Sequence, residues 1–181
     1  MVIVRVILGN ITEQSVDAIV NSANWSLFRG SGIDGVIHRA AGPGLEKEAR
    51  ELHGTCKAGN AVVTGAHDLP SRMVIHAVGP RYMDGLRGED ETLRQCYQKI
   101  FELGNEHSVR SMAVPPISTG IYNYPFEAAQ TIAVTEALLS LEGGTSVLED
   151  LRFIVRKPEQ KEALLRLLGE LNTSEDILVQ S

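Results

Sequence analysis

The chain has 181 residues, 43% of them hydrophobic and 22% charged, and a formal net charge of −6. That is the length of one domain with a full core and the composition of an ordinary globular protein. An acidic chain with 5% aromatic residues argues against a general nucleic-acid binder, and no apolar run is long enough to span a membrane.

In chain order, Val2–Leu8 is rich in β-formers and ends at Gly9; it is short and carries Arg5, so it reads as a strand rather than a signal peptide. Residues 17–20 give a second strand that runs into Asn21 and Asn24. Ile33, Val36, Ile37, Ala40 and Ala41 recur at helical spacing, and GPG stops that helix. Residues 45–53 form a charged, exposed helical pattern. NAVVTGA and RMVIHAVGP read as two strands with a turn at DLPS between them. A helix over 91–106 carries Leu93, Tyr97, Ile100 and Phe101 on one side, and SMAVPPIS is a buried strand broken by its two prolines. Pro125 opens a long helix at a first-turn position, with Ala129, Ile132, Ala133 and Ala137 inward. LRFIVRK is a last strand, and Pro158 opens a last helix with Leu164, Leu168 and Leu171 inward. The domain is expected over 1–171, with 172–181 a polar tail that frays. Strands alternating with helices predict an α/β sandwich with a largely parallel or mixed sheet, and ligands of such sheets sit beyond the carboxyl ends of strands.

Cys56 and Cys96 have neither a metal spacing nor a disulfide framework. A reducing compartment, the cytoplasm, is the expectation, and the chain is expected to be a monomer.

GSGIDG, from Gly30 to Gly35, matches the dinucleotide fingerprint G-x-G-x-x-G but fails its context. Trp25 to Arg29 separate it from the strand end. The acidic residues at the right distance, Glu46, Glu48 and Glu51, lie in a helical pattern rather than at the end of a second strand. No P-loop sequence occurs. A different chemistry fits better. Ser118, Thr119 and Gly120 leave a strand end, where small residues let backbone N–H groups converge on an anion without any lysine. Gly30, Ser31 and Gly32 offer an opposite wall, with the dipole of the helix beginning at Ile33 behind them. Either loop alone also reads as an ordinary glycine turn. Asn21 and Asn24 read as strand-end caps or as groups for a sugar hydroxyl. Asp34 suits a first helical turn in any case, and there it is a weak base that must act by positioning. His38, four residues on, reads as its structural partner. His76 reads as a satisfied core histidine, Cys56 as buried, and Trp25, Leu27 and Phe28 as packing beneath the loop.

The ordered series VDAIVNSAN, GSGIDGVIHRAAGP, GNAVVT, VIHAVGP and VPPISTGIYNYP resembles the macrodomain family, in its MacroD-type branch, over about residues 7–141. The resemblance implies a three-layer α/β/α sandwich with a mixed central sheet. The implied ligand is ADP-ribose, free or carried on a protein. The implied activity is metal-independent, cofactor-free hydrolysis of ADP-ribose esters, on acidic side chains or as O-acetyl-ADP-ribose; the alternative is a reader that only binds. Carried over residue by residue, Asn24 would contact the distal ribose and Asp34 would orient the attacking water. Gly30, Ser31, Gly32 and Ile33 would flank the diphosphate. So would Ser118, Thr119, Gly120, Ile121 and Tyr122, with Tyr122 against the distal ribose. Asn10 and Ile11 fall where the family holds adenine, and Arg156 where an aromatic often covers it. Four departures stand out. Asn10 replaces an aspartate, Arg29 and Ser31 replace loop glycines, Arg156 replaces the aromatic, and Asn123 replaces a turn glycine while tolerating a left-handed backbone.

Overall fold

The computed structural model describes residues 1–142 and 144–181. Its strands are β1 (Val2–Leu8), β2 (Ala18–Ser22), β3 (Asn60–Gly65), β4 (Met73–Val78), β5 (Ser111–Val114), β6 (Asp150–Val155) and β7 (Ile177–Gln180). Its longer helices are α1 (Gly32–Ala41), α2 (Gly44–His53), α3 (Glu89–Glu106), α4 (Phe126–Leu141) and α5 (Pro158–Leu171). The strands form one sheet in the order β3-β4-β2-β5-β6-β1-β7. Every pairing is parallel except β3 with β4. The sheet is therefore mixed, as expected.

Alternation along the strands sorts the core into two layers. Ala18 and Val20 of β2 face one side with Ile75, Val114 and Phe153, where Leu93 and Ile100 of α3, Ala133 of α4 and Leu168 of α5 cover them. Ile19, Val74, Ala113 and Ile154 face the other side, under Ile37 of α1 and Leu45 of α2. Helices thus cover both faces, which gives the three-layer sandwich. β4 is buried at all six positions, as a strand covered on both faces must be.

Three local expectations need correction and one holds. Residues 172–181 do not fray: β7 pairs in parallel with β1 from Val2↔Ile177 to Arg5↔Gln180. Buried Ile177 anchors that strand in the main core. As expected, the two prolines break the strand: β5 stops at Val114, because neither can donate to a ladder. Pro125 sits one residue outside α4, as its cap. Trp25 and Phe28 are 63% and 46% exposed, and of the three residues expected beneath that loop only Leu27 is buried. No helix among the described residues is long and apolar enough to cross a membrane.

Candidate functional site

Because β1, β2, β4, β5 and β6 run in parallel, their carboxyl ends share one rim of the sheet. The loop after β2 and the loop after β5 leave that rim side by side and enclose a cleft of about 160 Å³. Asn24, Gly30, Ser31, Gly32, Ile33 and Asp34 line one wall. Ser118, Gly120, Ile121 and Tyr122 line the other, with Pro116 below them.

The loop after β5 is built to turn. Ser118 and Asn123 take φ of 65° and 59°, conformations that L residues seldom adopt. The Tyr124 N–H donates to Ser118 O at 2.9 Å, the Asn123 N–H to Gly120 O at 3.0 Å, and the Thr119 hydroxyl to Pro116 O at 2.8 Å. The loop rests on Gly79, where a Cβ would lie 2.1 Å from Ser118 Oγ and 2.6 Å from Ile117 Cγ2. A second tie comes from residues 82–88. The Tyr82 N–H donates to Tyr122 O at 2.8 Å. The buried Glu89 carboxylate accepts the N–H groups of Met83, Asp84, Gly85 and Arg87, which folds that neighbouring segment tightly. Among the described residues, the N–H groups of 118–122 donate to no protein acceptor, and neither do those of Ser31, Gly32 and Ile33 at the start of α1. The two loops that line the cleft therefore both carry unpartnered amides, the kind of backbone that holds an anion. Adding a Cβ at Gly32 or Gly120 would meet nothing within 4 Å, so both cleft-lining positions border open space.

Asp34 stands at the end of this cleft and is only 5% exposed. Its Oδ1 accepts from Asn21 Nδ2 at 2.7 Å and lies 3.4 Å from His38 Nε2; its Oδ2 accepts the Gly30 N–H. Burial pushes the carboxyl up, but the hydrogen bonds from His38, Asn21 and Gly30 outweigh it and hold Asp34 below its usual value. A carboxylate offers about four lone-pair positions. Three are filled, which leaves one on Oδ2 at the cleft. Gly35 completes the junction: a Cβ there would sit 2.7 Å from Gly30 O, so a bare residue is what lets the loop close onto α1.

Behind Asp34 lies a chain of buried polar groups. Asn21 Nδ2 also meets His76 Nδ1 at 3.2 Å, and His76 Nε2 meets Thr64 Oγ1 at 2.9 Å. The Thr64 hydroxyl donates to Gly65 O, so it accepts from His76; the histidine then carries its proton on Nε2 and takes Asn21 on Nδ1. Desolvation pushes His76 down to about 3, so it stays neutral. His38 is the structural partner of Asp34, and His76 the satisfied core histidine, that the sequence suggested. Asn21, read as a strand-end cap or a group for a sugar hydroxyl, is instead fully buried and links Asp34 of α1 to His76 of β4.

The remaining expected positions divide. Asn24 lines the cleft, but its Oδ1 already accepts from the Ser26 N–H at 3.1 Å and the Ser26 hydroxyl at 2.6 Å, and Nδ2 donates to Phe28 O at 2.7 Å. One Nδ2 hydrogen remains. Asn10, Ile11, Thr119 and Arg156 are not in the cleft wall. Asn10 caps a short 3-10 turn, its oxygen taking the Thr12 N–H and hydroxyl. Ile11 is 1% exposed and belongs to the core under α1. Arg156 is exposed beyond β6. Glu89 and Gly79 carry no reading in the sequence, and Gly35 stands there only as the last glycine of a rejected dinucleotide fingerprint. A glutamate at a helix start and glycines within ordinary runs carry no local sign of which backbone will approach them.

Comparisons with known proteins agree with this geometry. The Macro domain family model matches residues 20–133. The chain is 44% identical over 169 residues to O-acetyl-ADP-ribose deacetylase 1 of Pantoea vagans, covering 92% of this chain and 98% of that protein. Among solved structures, the Oceanobacillus iheyensis macrodomain with ADP superposes with a TM-score of 0.84 at 34% identity, over 92% of this chain and 90% of that one. The Trypanosoma brucei macrodomain in complex with ADP-ribose gives 0.85 at 33% identity, over 92% and 69%. With a family model over more than half its length, a relative alike from end to end and the same three-layer fold, this chain belongs to the macro domain family.

Proposed function

We propose that the cleft binds ADP-ribose and that the chain hydrolyses ADP-ribose esters, either on glutamate or aspartate side chains or as O-acetyl-ADP-ribose. The observation that carries this reading is the pair of unpartnered amide runs, 31–33 and 118–122, in the two loops that line one slot in a protein of net charge −6. A diphosphate in such a slot is held by local dipoles rather than by the field of the whole protein. The relative named as a deacetylase and the neighbours solved with ADP and ADP-ribose support the same ligand. A cleft of about 160 Å³ encloses a ribose and phosphates. The adenosine then extends along the ends of β6 and β1, past Asn10, Ile11 and Arg156.

In the proposed reaction the distal ribose lies at Asn24 and Asp34, against Tyr122. The free lone pair of Asp34 Oδ2 accepts from a water and aims its oxygen at the acyl carbonyl. The ester bond breaks, the ribose oxygen takes the proton, and a carboxylic acid and ADP-ribose leave. A carboxylate held this acidic contributes orientation rather than proton affinity. The same acidity favours a second reading, a module that binds ADP-ribose without turning it over. The two buried free thiols, Cys56 and Cys96, fit a cytoplasmic location, and we take the chain to act as a monomer. A thermal melt tests the ligand. ADP-ribose should raise the melting temperature, and NAD should do much less because its nicotinamide fills the place of the free distal hydroxyl. Equal stabilisation by the two, or none by ADP-ribose, contradicts the proposal.

A further inference from the structure

Seven of the chain's arginines pair with a carboxylate. Arg29, Arg39, Arg50, Arg81 and Arg156 have no such partner among the described residues. Four of these five gather around one end of the cleft. Arg29 ends the loop after β2 and shares a groove with Arg39 of α1 and with Glu46 of α2, whose carboxylate accepts the Arg29 backbone N–H at 2.6 Å and makes no ion pair with either guanidinium. Arg81 follows β4, with its guanidinium 5.4 Å from the Tyr122 ring centre. Arg50 of α2 lies 3.6 Å over the ring of Phe28.

The sheet order fixes which end this is. β2 and β4 lie on one side of β5, and β6 and β1 on the other. The adenosine side is that of β6 and β1, so the arginines flank the end where an esterified group would leave the cleft. The same rim carries the exposed ring of Trp25 and the half-exposed ring of Phe28, one face of which Arg50 covers. Trp25 is held out by its own backbone, whose carbonyl accepts the Cys56 N–H at 2.8 Å. In a chain of net charge −6, unpaired arginines around exposed aromatics complement a negatively charged, partly apolar partner.

We infer that this rim, Trp25, Phe28, Arg29 and Arg50 with Arg81 beside it, docks an acidic polypeptide that carries the ADP-ribose. The preferred substrate is then an ADP-ribosylated side chain set among further glutamates or aspartates, rather than a small ester. The inference rests on the reading of the cleft as an ADP-ribose site. Arg29 and Arg50 contact the flanking residues and not the nucleotide.

Fluorescence anisotropy with three probes tests it: free ADP-ribose, and two synthetic peptides carrying ADP-ribose through a non-hydrolysable link, one flanked by glutamates and one by glutamines. At low ionic strength the glutamate peptide should bind about tenfold more tightly than the glutamine peptide, the scale of a few rim charges. Added salt should erode that advantage. In the double variant Arg29→Gln/Arg50→Gln the advantage should vanish while the affinity for free ADP-ribose stays as in the wild type. Equal binding of the two peptides by the wild type overturns the inference, as does an advantage that survives in the double variant. Competition by an unmodified single-stranded RNA as strong as that of the glutamate peptide would assign the rim to another occupant and also overturn it. If free ADP-ribose itself fails to bind, the ligand reading is what has failed, and the rim proposal falls with it.

Discussion

Replacing Gly79 by alanine should disable the cleft from below. Its φ is not left-handed, so the effect is steric alone. The new Cβ would lie 2.1 Å from Ser118 Oγ and 2.6 Å from Ile117 Cγ2. The Ser118 hydroxyl can rotate away. The Ile117 methyl belongs to a stiff, β-branched side chain with no exposed surface. Restoring an ordinary carbon–carbon separation requires the loop to rise by about 1 Å. Overpacking of that kind costs about 2 kcal/mol, or about 6 °C in melting temperature for a domain of this size. The loop that rises holds the amides of 118–122. A displacement near 1 Å in a positioning element costs about a hundredfold in rate, and we expect ADP-ribose affinity to fall at least about tenfold. Calorimetric titration and a thermal melt measure both effects. Wild-type affinity together with an unchanged melting temperature would refute the seating of the loop on Gly79.

Gly120→Glu should behave in the opposite way. A Cβ there meets nothing within 4 Å, so the melting temperature should hold while ADP-ribose binding is abolished by charge and bulk in the slot; undiminished binding would remove 118–122 as the phosphate loop. His76 predicts a pH dependence of stability. Its native value of about 3 lies below the ordinary 6.5, so the unfolded chain takes up a proton that the native chain refuses. Stability from this group is complete above 6.5 and is lost as pH falls toward 3, by up to about 1.4 kcal/mol per pH unit. Denaturant melts of His76→Gln should show a shallower acid slope than the wild type, and identical slopes would contradict the neutral buried ring. Asp34 works in the same direction at lower pH. Held below the ordinary aspartate value of 3.8, it leaves an acid limb of activity beneath that value, and a limb centred above pH 5 would show another group to be responsible.

Much of this was legible because it is local. Period-two and period-3.6 patterns delimited the core strands and helices, and loops leaving strand ends marked the two walls of the cleft. What escaped depends on distant partners. Ile177–Gln180 is apolar but only four residues long and follows the polar run 172–176, and it becomes a strand because the β1 edge stands open beside it. Asn10 was matched to adenine by position, yet its oxygen is taken by Thr12 two residues on. Asn21 looks like any asparagine at a strand end, and only the register that sets it beside His76 makes it the spacer holding Asp34. Trp25 and Phe28 were read as packing because they are aromatic, and the fold leaves them outside.

The claim that the cleft hydrolyses ADP-ribose esters is tested most directly by release of ADP-ribose from a protein mono-ADP-ribosylated on glutamate, with O-acetyl-ADP-ribose assayed in parallel. The wild type should act on at least one of them. Asp34→Ala should be slower by roughly a hundredfold or more, the scale of a lost acid–base or positioning group, with a smaller loss in ADP-ribose affinity. A wild type inert on both esters would leave a binding module, and full turnover by Asp34→Ala would remove Asp34 from the mechanism.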